Sequence, residues 1–279
     1  MKSTKIGLVN FGGGTGKTTT AYWMARYWAQ KEIDTLMLDT DAQGCMTAKL
    51  LGIPDDKMVE ATLGERTIAN VLEGNATLND ITFPATFSAH IKVAGADKYL
   101  VSTMDRLLPK AGSNLLLRKA IKREQDLSCK ATIIDSAPDA DKMIENVLYA
   151  ADVIVIPATP EAKSVRGLLT VLEMVKIVRA DRMEDSDGAD AGPIIAGVVI
   201  CDVGRSLGHA KYTNKLKELA VQIADENGES DDCYMTDSTG NPCRGVLGVI
   251  PRYEGKKADT DLWMAYMPTC DNIYCIAGL

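Results

Sequence analysis

The stretch Asn10-Phe11-Gly12-Gly13-Gly14-Thr15-Gly16-Lys17-Thr18-Thr19-Thr20 decides the fold. It follows a short apolar run, "KIGLVNF", and leads into "TTTAYWMARYWAQK", whose apolar residues recur at helical spacing. A strand, a glycine loop and a helix opening on Gly-Lys-Thr make a phosphate cradle. Backbone N–H groups of Gly13 to Thr18 turn inward, and the helix N-terminus adds positive potential. Lys17 is spaced to reach the β- and γ-phosphates, and the Thr18 hydroxyl to ligate Mg²⁺. The loop departs from the pattern G-x-x-x-x-G-K-[ST] at one point. Five residues before Gly16, where that pattern has its first glycine, stands Phe11.

Outward from the loop, apolar runs and helical patterns alternate. That predicts an α/β fold with a wound, mainly parallel sheet flanked by helices. "DTLMLDTD" reads as a second buried strand, and "KATIIDSAP" and "ADVIVIPATP" as two more, separated by the helical "DADKMIENVLYA". "EAKSVRGLLTVLEMVKIVRA" is a long helix, "GPIIAGVVICD" a strand, "AKYTNKLKELAVQIAD" a helix and "GVLGVIPR" a final short strand. "RMEDSDGADAG" is predicted to be a surface loop, and "ENGESDDCYMTDSTGNPCRG" an extended excursion. No internal repeat divides the 279 residues, so one domain spanning 1–279 is expected.

Composition narrows the class. Charged residues make up 25% and hydrophobic residues 46%, ordinary for a soluble globular protein. Thirty-one Lys and Arg against 38 Asp and Glu give a net charge of −7. A globally basic nucleic-acid coat is excluded, whereas a local basic patch is not. No apolar run approaches the roughly 20 residues of a membrane span. The first strand leads straight into the glycine loop, so no secretory leader is expected. The seven cysteines are odd in number and include no C-x-x-C, so reduced thiols are expected rather than a disulfide frame or a zinc site. A late quartet, Cys233, Cys243, Cys270 and Cys275, is the one grouping a metal assay would address.

Acids stand where parallel strands end, and that edge of a wound sheet is where ligands bind. Asp135 closes "ATIID", the place of a Walker B carboxylate holding the Mg²⁺ shell. Asp39 and Asp41, in "LMLDTDAQG", are candidates to orient water or the metal.

Taken together, these segments resemble the ParA/MinD family of deviant-Walker ATPases over nearly the whole chain. "NFGGGTGKTTT" is similar to the family's N-x-K-G-G-x-G-K-T-T-T, and "LDTDAQG" to its L-D-x-D-P-Q-G. "IIDSAP" corresponds to I-I-D-x-P-P, "PATPEAKSVRGL" to P-x-x-P-E-x-x-[AS]-x-x-G/D, and "GVIPR" to a late I-P-R. The resemblance implies an ATPase that dimerises around ATP and positions plasmids, chromosomes, cell-division proteins or protein organelles. It implies that Lys17 binds phosphate, Thr18 ligates Mg²⁺, Asp41 positions the attacking water, Asp39 supports the Mg²⁺ shell and Asp135 lies in switch II. Gly13, Gly14, Thr15, Gly16 and Thr19 complete the nucleotide cradle. Ile250, Pro251 and Arg252 are expected against adenine.

The family's signature lysine, first in K-G-G-x-G-K-T, is Gly12 here. In relatives that lysine crosses the dimer interface to the partner's phosphates. Its absence resembles the McdA-type carboxysome-positioning branch. Within "PEAKSVRG", Lys163 occupies the place of a small polar residue that contacts the signature lysine in relatives, and is the candidate replacement cation.

Expected partners are a second copy held by ATP, non-specific DNA and a ParB-like or McdB-like adaptor, in the cytoplasm on the nucleoid. The membrane-bound branch ends in a basic amphipathic helix, whereas "TDLWMAYMPTCDNIYCIAGL" contains no Lys or Arg, so membrane docking is not expected. Candidate DNA contacts are Arg205, Lys211, Lys215 and Lys217, with Arg252, Lys256 and Lys257. Two other classes remain open. A small-molecule P-loop ligase would turn Asp41 on a metabolite. A metal-handling P-loop ATPase would need cysteine pairs after switch II, and none lies between Cys129 and Cys201.

Overall fold

The computed structural model describes residues 3–54, 59–124, 128–138, 141–204, 206–227, 243–252 and 259–279. The chain runs β1 (Thr4–Leu8), α1 (Lys17–Gln30), β2 (Thr35–Thr40), α2 (Cys45–Leu51), α3 (Val59–Leu63) and α4 (Ile68–Glu73). The hairpin β3 (Thr82–Ala85) and β4 (Ser88–Ala94) follows, then α5 (Tyr99–Leu107), α6 (Leu116–Arg123) and β5 (Ala131–Ser136). The last part is α7 (Asp141–Ala150), β6 (Val153–Ala158), α8 (Ala162–Asp185), β7 (Ile194–Val203), α9 (Leu207–Asn227), β8 (Val246–Pro251) and α10 (Asp259–Ile276).

Among the described residues eight strands form one sheet, in the order β3-β4-β2-β5-β1-β6-β7-β8. Neighbours are parallel except β3 and β4, which pair antiparallel. Every residue of β2, β5 and β6 is buried. Strands covered on both faces need continuous apolar runs rather than alternation, and that is how these segments read. α1, α2 and α10 pack on one face, with Met24, Trp28, Leu50, Tyr266 and Ile273 in that layer. Helices α4 to α9 cover the other, through residues such as Ile68, Leu117, Ile144, Leu168 and Leu216.

In register, Asp39 stands beside Asp135 across β2 and β5, and Leu8 of β1 stands beside Asp135 on the other side. The carboxyl ends of the three central strands therefore open on the same edge as the glycine loop.

Three local readings change. "RMEDSDGADAG" begins inside α8, which continues to Asp185. Arg182 is 6% exposed, bonding Asp190 at 2.7 Å and the Ala151 carbonyl at 2.7 Å. A buried guanidinium needs such partners, and they hold the turn against the sheet. Among the described residues, 45–124, without an assigned pattern in the sequence, hold five α-helices and the β3–β4 hairpin. Cys275 is disulfide-bonded, contrary to the expectation of wholly reduced thiols, while Cys129, Cys201 and Cys270 are buried free thiols. Spacing alone does not reveal which distant cysteines meet. Cys233 and most of "ENGESDDCYMTDSTGNPCRG" lie outside the described residues.

The terminal helix buries Tyr266, Cys270 and Ile273 against the sheet. No helix among the described residues is long and apolar enough to cross a membrane.

Candidate nucleotide site

β1 is a central strand, so the loop leaving it lies over the middle of the sheet edge. Gly12, Gly14 and Gly16 adopt φ of 132°, 75° and 98°. Gly16 has a second constraint, because a Cβ there would lie 2.6 Å from Cys201 Sγ on β7. Only glycine satisfies both the left-handed backbone and that approach. Lys17 begins α1 and is 6% exposed; its ammonium donates to the carbonyls of Asn10 and Gly12, each at 3.1 Å. The cation is thus held over the loop that precedes it.

Asp39 is fully buried. Its Oδ2 accepts from the Thr47 amide at 2.9 Å and the Thr47 hydroxyl at 2.7 Å, and its Oδ1 from the Asp41 amide at 3.0 Å. Burial pushes its pKa from 3.8 to about 6, with the Thr47 and Asp41 hydrogen bonds pulling the other way. Asp135 is 1% exposed, and neither carboxylate oxygen has a well-formed hydrogen bond. Burial and then the Asp39 charge raise its pKa well above 3.8, against the pull of the nearby Thr18 hydroxyl and Lys17. Asp41 is half-buried at the rim, its Oδ1 accepting from the Gln43 amide at 3.0 Å.

Two adjacent buried carboxylates, one without a well-formed hydrogen bond on either oxygen, are the environment a hard divalent cation stabilises. The donor set therefore fits magnesium, which typically takes one or two carboxylates together with nucleotide phosphates. Among the described residues no group of three or more His, Cys, Asp or Glu could hold a metal ion on its own.

Helix α8 closes the other side. A Cβ on Gly167 would fall 2.1 Å from the Phe11 carbonyl oxygen and 2.3 Å from Asn10 Oδ1, so only glycine lets α8 approach the root of the loop. Asn10 Nδ2 donates to the Pro157 carbonyl at 2.8 Å and to Ser164 Oγ at 3.3 Å, tying β1 to the start of α8. Lys163 is exposed one turn before Gly167, and a Cβ on Gly12 would stand 3.7 Å from its Cε. The replacement candidate thus lies along the glycine that stands where the family has lysine. Among the described residues the Lys163 side chain makes no hydrogen bond or ion pair.

At the ends of β7 and β8, Pro251 and Arg252 are exposed while Ile250 is buried. The Arg252 guanidinium forms a two-point pair with Asp202, at 3.0 and 2.5 Å, and Asp202 has φ of 56°.

The basic candidates are less collected than the sequence suggests. Lys211 and Lys215 share one face of α9, but Lys217 is two positions on, about 200° around the helix. Lys215 is also paired with Glu218 at 3.0 Å. Arg205, Lys256 and Lys257 lie outside the described residues.

Sequence reasoning missed Thr47, which holds Asp39 and also accepts from the Ala96 amide at 3.2 Å. No local pattern marks it, since its partners are a strand end and a distant loop. Asn10, Ser164 and Gly167 were visible within their motifs, but their mutual contact was not.

A family profile described as an AAA domain matches residues 3–186. The chromosome-partitioning ATPase Soj of Thermus thermophilus is 31% identical over 180 residues, 64% of this chain and 64% of that protein. The maintenance of carboxysome distribution protein A of Synechococcus elongatus is 28% identical over 163 residues, 58% of this chain and 61% of that protein. The matched regions thus span less than two thirds of these two relatives. Apo McdA of Cyanothece superposes with a TM-score of 0.71 over 100% of both chains, at 19% identity. A cobyrinic acid a,c-diamide synthase of Mycobacterium smegmatis, with an ATP analogue and magnesium, also gives 0.71 at 19%, over 100% of this chain and 98% of that one. These structural likenesses establish the fold, while the profile and the sequence relatives establish the lineage: the chain belongs to the ParA/MinD family of P-loop ATPases.

Proposed function

We propose that the protein is a Mg²⁺-dependent ATPase that forms an ATP-bridged dimer, binds DNA without sequence preference and distributes a cargo such as a carboxysome or plasmid over the nucleoid. An adaptor, ParB-like or McdB-like, would stimulate hydrolysis and so release it. One observation carries the reading. Lys17, Thr18, Asp39, Asp41 and Asp135 converge on one sheet edge, and Lys163 lies against Gly12.

In this reading the loop amides, Lys17 and the start of α1 bind the phosphates. Thr18 and Asp135 would hold magnesium, with Asp39 supporting its shell, and the ion would supply charge neutralisation on the phosphate oxygens. Asp39, whose oxygens are engaged by Thr47 and Asp41, fixes the segment carrying Asp41. Asp41 orients the attacking water. Positioning and electrostatics dominate in this reading, and basal turnover is slow. Lys163 supplies the cation that Gly12 does not, reaching the partner protomer's nucleotide.

The test is equilibrium ATP binding and phosphate release by the wild type and Asp41→Ala. The variant should bind ATP as the wild type does and hydrolyse it about a hundredfold more slowly. Undiminished turnover would overturn the assignment of Asp41. Phosphate release that requires an added metabolite would favour the ligase class instead.

A further inference from the structure

We propose that a cavity at the amino-terminal edge of the sheet, opposite the phosphate loop, binds a small phosphorylated polyol such as a sugar phosphate. The cavity has a volume of about 380 Å³ and lies beside the starts of β1, β5 and β6, between α6 and the turn that follows α8. That is the size of a small-metabolite pocket. Its walls are ionic. Four cations, Lys5, Arg118, Lys122 and Arg182, face three carboxylates, Glu124, Asp152 and Asp190, which leaves one positive charge in excess.

Three of the cations are paired. Lys5 meets Asp152 at 2.7 Å, while Arg182 and Arg118 both meet Asp190, at 2.7 and 2.6 Å. The side chains of Lys5 and Arg118 are only 14% and 19% exposed, so their charge is partly removed from water and acts strongly on whatever enters. Apolar side chains would close this edge at lower cost than buried ions. The ions and the space between them therefore need another reason.

Uncommitted donors and acceptors stand on opposite walls. Arg118 and Lys122 are four residues apart on α6, one above the other on the same face. Arg118 spends one N–H on the Tyr149 carbonyl at 2.9 Å and another on Asp190. Its remaining N–H groups have no partner among the described residues, and neither has the Lys122 ammonium. A guanidinium fork beside a point charge is the donor set that phosphate takes up. On the sheet side, Asp152 Oδ2 accepts from the Lys5 ammonium and amide, at 2.7 and 3.0 Å, but Oδ1 has no hydrogen-bond partner among the described residues. The hydroxyls of Ser3 and Thr132, 3.2 Å apart, line the same wall. A carboxylate oxygen and two hydroxyls recognise hydroxyl groups.

These two walls select the ligand. An aliphatic acid would leave the Asp152 wall unpaired, and an amine would meet the excess positive charge. A phosphate joined to a short hydroxylated chain satisfies both. The cavity lies at the opposite ends of the strands that carry the nucleotide cradle, so binding here does not rest on the ATPase reading.

The test is isothermal titration calorimetry with glycerol 3-phosphate, ribose 5-phosphate and glucose 6-phosphate, in excess ADP and magnesium to occupy the phosphate loop. It would use the wild type, Lys122→Glu and Arg123→Glu. Both positions are exposed, Arg123 lies outside the cavity, and melting curves confirm that each variant is folded. At least one ester should bind the wild type and Arg123→Glu alike, and Lys122→Glu at least about tenfold more weakly. Its unphosphorylated polyol should not bind, and inorganic phosphate should bind at least about tenfold more weakly than the ester. No binding of any ester to the wild type, or equal binding to all three proteins, overturns the proposal. So does equal loss in both variants, which would report net charge rather than a site. Binding that Lys17→Ala removes and Lys122→Glu does not belongs to the phosphate loop and also overturns it. Inorganic phosphate binding as tightly as the ester would overturn the assignment of the Asp152 wall to hydroxyl groups.

Discussion

Gly16 stands over Cys201: a Cβ on the glycine would lie 2.6 Å from the cysteine Sγ and 3.1 Å from its Cβ. The phosphate loop therefore rests on a side chain of β7, two strands away, and the height of that side chain sets the loop. Cys201→Ala should keep ATP binding, because it only removes volume. Cys201→Met should weaken binding at least about tenfold by lifting the loop, with a stability loss of roughly 1–3 kcal/mol from overpacking. Gly16→Ala should lose binding even with Cys201→Ala, since φ of 98° remains strained for a side chain. Titration with a fluorescent ATP analogue distinguishes these outcomes. Burial pushes the Cys201 thiol up to about 11, so alkylation near neutral pH should be slow until the protein unfolds.

Asp39 gives the metal-free protein a pH dependence. Its folded pKa of about 6 lies above the ordinary 3.8, so the native state holds the proton more tightly than the unfolded chain. Stability should fall as pH rises through the window from about 4 to about 6, by an order of ~3 kcal/mol at most. Asp135, raised in the same direction, adds to the slope. Urea unfolding in chelator at about pH 4.5 and about pH 7.5 measures it. Asp39→Asn should flatten the dependence, and a wild type that gains stability across this window would contradict the burial account.

DNA binding, if it follows the proposed function, should be ATP-dependent and steeply weakened by salt, because each phosphate contact releases a counterion. Lys211 and Lys215 share a face of α9, so their charge reversal together should weaken binding to all sequences alike and reduce the salt slope. Lys217→Glu should do less, since it points elsewhere. Electrophoretic mobility with unrelated duplexes at several salt concentrations reads this. No affinity for any duplex by the ATP-loaded protein at low salt would remove DNA from the account.

The central strands were legible because burial on both faces demands unbroken apolar runs, as in "ATIID" and "VIVIPA". The loop was legible because glycines and Gly-Lys-Thr occupy adjacent positions. The β3–β4 hairpin was not, since Thr82–Ala85 is four residues long and contains Pro84, and its register shifts there. Arg182 looked like loop because its partner, Asp190, lies across a turn that pattern alone cannot close. Within the site, residue types at strand ends were readable. The contacts that fix them were not: Thr47 reaches back to Asp39 from the following helix, and Gly167 meets Asn10 from more than a hundred residues away.

The most direct measurement concerns Lys163 and Gly12. An ATP-bridged dimer brings two polyphosphates together, partly removed from water, and attraction to a nearby cation strengthens as the local dielectric falls. Gly12 has no charge to offer, and Lys163 extends past it from the start of α8. Sedimentation velocity with ATP and magnesium, in the slow-hydrolysing Asp41→Ala background, would compare Lys163 with Lys163→Ala. The account predicts an ATP-induced dimer for the parent and a monomer for the double variant, with ATP affinity of the monomer largely unchanged. A double variant that dimerises as well as its parent would contradict it.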